Sequence, residues 1–337
     1  MKKVAINGLG RIGKMVLWHY IVNRPKNVEV CVANGGSGTA EDLAYMLKFD
    51  SVHGKFPAPV EYGDDYLKVG EQKITLVTGR DPEKLPWAEL GVDIVLECTG
   101  HFTQRDEAAK HLKAGAKKVI ISAPSKDAEL TVVLGVNQDW YDPKKHDVIS
   151  NASCTTNCLA PAIKVLNDAF GIDSALVTTV HAYTSSQALV DAKKPGKHRR
   201  GRAAAVNIIP TSTGAAIATT KVIPELEGKM NAQALRVPVA DIAITDINAT
   251  LKKDVSVEDV NRAFEEAMNG ELKGILEITY DEVVSTDIIN NPNSSIVDAL
   301  STMVVDGNKV KVFSWYDNEY GYSGRLLELA DYIAARM

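Results

Sequence analysis

The chain opens on a short apolar run broken at once by glycines. Lys3-Val4-Ala5-Ile6-Asn7 reads as a buried strand, and Gly8-Leu9-Gly10-Arg11-Ile12-Gly13 follows without a gap. Met15, Val16, Trp18, His19 and Ile21 then recur at helical spacing as far as Pro25. Further strands are predicted over residues 28–33, 73–77, 93–98, 118–122 and 147–149, with a short helix over 108–116. Strands alternating with helices predict an α/β fold, a doubly wound parallel sheet over residues 1–150.

Beyond residue 150 the pattern changes. Cys158, Ala162, Ile163 and Leu166 fit one face of a helix that begins near Cys154. Runs at 175–180, 236–239, 242–247 and 309–315 read as strands, the last three as half-buried antiparallel ones. Helices are expected at 257–268 and 295–300, and an amphipathic one closes the chain from residue 322. Residues 151–318 are therefore expected to form an α+β domain with a mostly antiparallel sheet.

The glycines of the opening stretch form a Rossmann fingerprint in the context it requires, after a strand and before a helix. Gly8 permits the tight turn, Gly10 the approach of a pyrophosphate, and Gly13 close helix–strand packing. An NAD site of this kind carries an acidic residue after its second strand, to bond the ribose 2′-hydroxyl. Here the chain reads Asn34-Gly35-Gly36, and no carboxylate comes before Glu41. Either this is a plain flexible turn, or the site does not repel a 2′-phosphate and favours NADP. Thr99, Gly100 and Ser122 lie at strand ends, where such sheets hold cofactors.

Composition adds limits. The chain has 337 residues, a net charge of −5 and four cysteines without framework spacing. That is ordinary for a globular protein of two domains, argues against nucleic-acid binding, and suits reduced thiols in the cytoplasm. No apolar run approaches membrane-spanning length and no signal segment opens the chain. The basic stretch 193–202 lacks aromatic interleaving. It reads as a solvated loop, or as one that meets phosphates.

Chemistry concentrates at Ser150-Asn151-Ala152-Ser153-Cys154-Thr155-Thr156-Asn157. Ser, Asn and Thr are helix-start residues, which puts Cys154 at a helix N-terminus, where the dipole is expected to lower a thiol pKa. His181 ends the strand-like run 175–180 and is the candidate base. Cys158, one turn beyond Cys154, reads as core.

These blocks, with His181-Ala182-Tyr183-Thr184, 209–216, Arg236-Val237-Pro238 and 314–319, occur in the order found in one family. Over nearly its whole length the sequence resembles phosphorylating glyceraldehyde-3-phosphate dehydrogenases. The resemblance implies a homotetramer and a C-terminal helix, 319–337, that joins the cofactor domain. It implies Cys154 as nucleophile and His181 as its partner. Thr184 and Arg236 match one phosphate pocket, and Ser153, Thr155, Thr213 and Gly214 the other, with Arg200 serving the phosphates. Arg11, Ile12, Arg80, Ser122 and Asn318 match cofactor contacts. The substrates implied are a phosphorylated aldehyde and inorganic phosphate.

There are departures. Ser185-Ser186-Gln187 replaces a stretch that usually holds an Asp, the basic loop is one residue longer, and Gly36 takes the place of the usual ribose Asp. Asp191 is followed by Ala192-Lys193, which looks like the NADP-using type, so NADP is expected as the preferred cofactor and NAD as the alternative. The rival readings are an erythrose-4-phosphate dehydrogenase and a non-catalytic nucleotide- or RNA-binding protein.

Overall fold

The computed structural model describes residues 1–337, and its backbone divides into two compact units. One comprises residues 1–132, 138–153 and 322–337, the other 133–137 and 154–321.

The first unit is built on a nine-stranded sheet. Lys2–Asn7 lies between Val28–Asn34 and Ile94–Glu97, parallel to both. Lys118–Ile121, Val148–Ser150 and Leu130–Thr131 extend the parallel sheet on one side, and Gln72–Val77 on the other. Tyr66–Val69 and Val60–Tyr62 close the latter edge antiparallel. Strand order thus reverses beside Lys2–Asn7, where open α/β sheets form their ligand crevice. The strand interiors are continuously apolar: Val4, Ala5, Ile6, Ile94, Val95 and Leu96 have no exposed surface. The helix Tyr320–Ala334 is tied to this unit by Ser323 donating to Ile12 O (3.3 Å) and Asp331 accepting from Asn27 N and Nδ2 (2.8 and 2.9 Å).

The helix expected over 108–116 is instead two four-residue pieces, Arg105–Ala108 and Lys110–Lys113. Gly115 follows at φ +108, with the space for a Cβ occupied by Ala88 at 2.5 Å.

The second unit holds a seven-stranded mixed sheet, ordered Ile209–Ser212, Met230–Val237, Ile172–Ala182, Ala243–Leu251, Lys309–Tyr316, Ser295–Val305 and Leu276–Thr279. Four of its six pairings are antiparallel and two parallel. The 17-residue helix Cys154–Phe170 buries Cys158, Leu159, Ala162, Ile163 and Leu166 completely. Residues 295–300, expected to be helical, belong to the strand Ser295–Val305. Ser295 to Ala299 are all buried, so both faces of the strand are covered and the alternation that marks a half-exposed strand is missing. No helix is long and apolar enough to cross a membrane.

The glycine turn yields a test. A Cβ at Gly13 would meet Gly8 O at 2.0 Å, whereas one at Gly10 would meet nothing within 4 Å. Gly13→Ala is expected to cost about 1–3 kcal/mol, as overpacking against backbone does. Gly10→Ala should fall within about 0.5 kcal/mol of the parent. Denaturant unfolding of the cofactor-free chain distinguishes the two.

Candidate active site

The nucleophile is delivered by a tight turn. After the strand Val148–Ser150, Ala152 adopts φ +54, its N–H bonded to Ser150 Oγ (3.1 Å) and its carbonyl to Tyr322 Oη (3.1 Å). A buried alanine in the left-handed region is held there by those contacts. Half-buried Ser153 follows, and the helix Cys154–Phe170 begins at the thiol.

His181 reaches it from the sheet. Ile209, Arg236, His181, Ala243 and Tyr316 form one row across five adjacent strands. His181 lies at the C-terminal end of Ile172–Ala182, and its Nε2 is 3.6 Å from Cys154 Sγ. Its Nδ1 is 2.8 Å from Ala182 O, and Arg236 Nη1 stands 2.9 Å from both of those atoms. The Ala182 carbonyl has two lone pairs, so it can accept from Nδ1–H and from Arg236 together. In that arrangement Nε2 carries the lone pair that faces the sulfur. Burial, reinforced by the Arg236 charge, lowers the His181 pKa to about 3, so the ring is neutral at physiological pH.

Cys154 departs from expectation. Burial pushes its thiol up, against the lowering effects of Arg236 and of Thr155. Burial acts on the other three as well: Cys31 and Cys158 are pushed up to about 11, and Cys98 further still. Cys158 packs in the core, with Sγ 3.3 Å from Ser314 Oγ. The Thr155 hydroxyl does not face an anion pocket. It bonds Tyr316 Oη (2.8 Å), which also bonds Thr179 Oγ1 (2.8 Å), so it braces the floor beneath the nucleophile.

Two guanidinium groups flank the pair. Arg236 is largely buried, and its Nε has no partner. An orphaned buried donor on a cation suits an anionic ligand. Arg200 is fixed to the strand Ile209–Ser212 through Thr211 Oγ1 (2.9 Å) and Ser212 O (3.4 Å), and its charge reaches both His181 and Arg236. Just beyond, Thr213 Oγ1 accepts from Ala215 N (3.2 Å), and Gly214 precedes the helix Ala215–Val222. Thr184 Oγ1 bonds Ser186 Oγ (2.9 Å), and the backbone carbonyl of Ser186 receives Lys194 Nζ. Arg202 pairs with Asp191 (2.9 Å). Lys194 and Arg202 are thus tied into their own loop and Arg200 to the strand beside it, which weakens the reading of the stretch as an open RNA surface. Ala192 and Lys193 are exposed on that loop.

In the first unit a cleft of about 740 Å³ lies over the strand ends, lined by Gly8, Gly10, Gly36, Arg80 and Thr99 among others. Arg11, Ile12 and Gly13 open the adjoining helix Arg11–Asn23. Arg11 pairs with Asp50, whose carboxyl is held well below the usual range by Arg11, Lys14 and two backbone N–H groups despite its burial. Gly100 follows Thr99 at φ +72, and Ser122 follows Lys118–Ile121. Asn34 lines the cleft, but its amide is spent on Asn7, Gly36 and Gly79. Gly36 stands at φ +66 with open space where a Cβ would be. In the second unit, Asn318 sits after Lys309–Tyr316 with its Oδ1 buried and unpartnered, which suits a carboxamide donor. The cleft of the first unit by itself fits a dinucleotide.

Tyr316 and Glu97 were not anticipated as functional. The signal for Glu97 was a lone carboxylate at the end of the apolar run Ile94-Val95-Leu96.

A thiol–imidazole pair flanked by arginines, on a chain with a dinucleotide cleft, defines a thiol-dependent dehydrogenase. The chain belongs to the glyceraldehyde-3-phosphate dehydrogenase family: residues 2–105 match the model of the NAD binding domain and 153–318 that of the C-terminal domain. It is 55% identical to the glyceraldehyde-3-phosphate dehydrogenase of Priestia megaterium and 54% to that of Geobacillus stearothermophilus, each over 99% of this chain and 98% of the relative. It is 49% identical to glyceraldehyde-3-phosphate dehydrogenase 2 of Bacillus subtilis, over 99% of this chain and 97% of the relative.

The thiol ordering is testable. Iodoacetamide at about pH 8 should alkylate Cys154 before any other cysteine, since His181 Nε2 stands 3.6 Å from its sulfur to take the thiol proton. Peptide mapping checks this, and equal labelling at all four positions would contradict it.

Proposed function

We propose that the chain reversibly oxidises D-glyceraldehyde 3-phosphate to 1,3-bisphosphoglycerate with inorganic phosphate and a nicotinamide cofactor, NADP in preference to NAD. The observation that carries this is His181 Nε2, neutral and 3.6 Å from Cys154 Sγ, beside Arg236.

His181 takes the thiol proton as the sulfur bonds the aldehyde carbon, and returns it to the carbonyl oxygen to give a thiohemiacetal. It then accepts the hydroxyl proton while hydride leaves that carbon, and the product is a thioester on Cys154. The nicotinamide would supply the hydride acceptor when bound, and Asn318 Oδ1, buried and unpartnered, would hold its amide. A phosphate oxygen attacks the thioester carbon, the C–S bond breaks as the proton held on His181 returns to the Cys154 sulfur, and the acyl phosphate departs. The Cys154 N–H at the helix start and His181 stabilise the oxyanions. Arg236 and Thr184 serve one phosphate, and Arg200, Ser153, Thr213 and Gly214 the other. Thr155 contributes by holding Tyr316.

The preference for NADP rests on the turn after Val28–Asn34. No carboxylate there repels a 2′-phosphate, Gly36 leaves room for it, and exposed Arg80 lines the cleft. Lys193 is the exposed candidate on the 191–202 loop, since Lys194 is engaged with Ser186. That pairing needs a neighbouring subunit. A homotetramer agrees with the exposure of Leu189, Val190, Val206 and Ile208, at 81, 70, 76 and 68%. Four free cysteines agree with a cytoplasmic location.

Two measurements test this reading. Steady-state turnover with glyceraldehyde 3-phosphate should require phosphate or arsenate; full turnover without either points to hydrolysis of the thioester, as in an erythrose-4-phosphate dehydrogenase. Gly36→Asp with Ala192→Leu and Lys193→Pro should shift the NADP/NAD ratio of kcat/KM roughly ten- to a hundredfold toward NAD, the worth of one charge-assisted contact. Asp tolerates the left-handed backbone at position 36. Strict NAD specificity in the parent chain would overturn the preference.

A further inference from the structure

Glu97 ends the strand Ile94–Glu97 with 1% of its surface exposed, yet it is the hub of a polar chain that runs to the dinucleotide cleft. Its Oε1 accepts from Thr99 N (2.8 Å) and from the Thr99 hydroxyl. Its Oε2 accepts from Asn7 Nδ2 (2.5 Å) and His111 Nε2 (3.1 Å). Trp87 Nε1 donates to His111 Nδ1 (2.9 Å), which leaves the ring proton on Nε2. On the other side Asn34 Nδ2 donates to Asn7 Oδ1 (2.7 Å) and to Gly79 O (2.8 Å), while Asn34 Oδ1 accepts from Gly36 N (3.1 Å) and Gly79 N (3.2 Å).

Both lone pairs and both N–H groups of Asn34 are thereby used inside the protein. This amide has no valence left for a ribose and acts as a brace between the 34–36 turn and Gly79. Its direction is not free. Glu97 Oε2 accepts from Asn7 Nδ2, so Asn7 presents its NH2 to Glu97 and its oxygen to Asn34. Asn34 must then present its oxygen to Gly36. One N–H of each of the two amides points along the path toward Glu97.

We propose that Glu97 is a positioning residue for the ribose end of the cofactor: by setting the direction of the Asn7 and Asn34 amides, it fixes the Gly35-Gly36 turn and the Gly79-Arg80 segment that line the cleft. The proposal rests on the reading of this cleft as the dinucleotide site. It assigns cofactor selectivity in part to a buried residue that does not line the cleft.

Glu97→Gln replaces an acceptor by an NH2 group that opposes two donors. Asn7→Leu removes the link to Asn34 with little change of volume and no buried charge. Each variant is checked for folding by thermal melting, then assayed with both dinucleotides. The KM for both should rise roughly tenfold, as expected for one misdirected buried hydrogen bond, and the NADP/NAD ratio should move. Turnover at saturating cofactor and the KM for the aldehyde should stay within about threefold, which a general loss of structure would not leave intact. If Glu97→Gln does not fold, Asn7→Leu carries the test. A folded variant with parental dinucleotide KM values overturns the proposal, as does a fall in kcat with unmoved cofactor KM. Failure of the parent chain to bind either dinucleotide overturns instead the assignment of the cleft.

Discussion

The site depends on where one proton sits on His181. Ala182 O, 2.8 Å from Nδ1, is placed to accept that proton, and Arg236 Nη1 lies 2.9 Å from the same carbonyl and from Nδ1 itself. With Nδ1 protonated, Nε2 is bare and faces the sulfur. The reverse tautomer would present an N–H to Cys154 and leave it without a base. Strand register puts these groups together: His181 pairs with Arg236 on the strand parallel to it and with Ala243 on the antiparallel one. The geometry therefore belongs to the sheet rather than to a loop, and it is rigid to the extent that the sheet is.

The same charge that orients the imidazole keeps it neutral. Burial and Arg236 together disfavour a second proton on His181, and burial disfavours a thiolate on Cys154. The two effects favour a neutral thiol–imidazole pair over a preformed ion pair in the unliganded chain. Nucleophile activation is then coupled to bond formation, with the imidazole accepting the proton as the sulfur attacks. Arg236 takes part twice, as a constraint on the base and, in the proposed mechanism, as a partner for phosphate.

Much of this was legible in the residues, for identifiable reasons. The glycine fingerprint reports steric limits that hold locally: Gly13 must lack a Cβ because Gly8 O lies where it would be. Cys154 at a helix start was legible from the polar residues around it. Residues 295–300 were misread because the strand is buried on both faces and shows no alternation. Burial also decides the thiol pKa, and no local pattern around Cys154 reveals it. The pairing of His181 with Arg236, and of Glu97 with His111, joins residues remote in sequence, so only the fold displays it. The Asn34-Gly35-Gly36 turn shows both sides. Its lack of a carboxylate was plain, but not that the Asn34 amide faces inward.

The chemistry turns on the state of one ring. Nitrogen-15 NMR of the histidine-labelled, unliganded chain, with His181 assigned by His181→Asn, reads tautomer and charge directly. A neutral ring with the proton on Nδ1 is expected throughout about pH 5–8, since the His181 pKa lies near 3. An imidazolium that titrates at or above the ordinary value near 6.5, or a neutral ring protonated on Nε2, would contradict it.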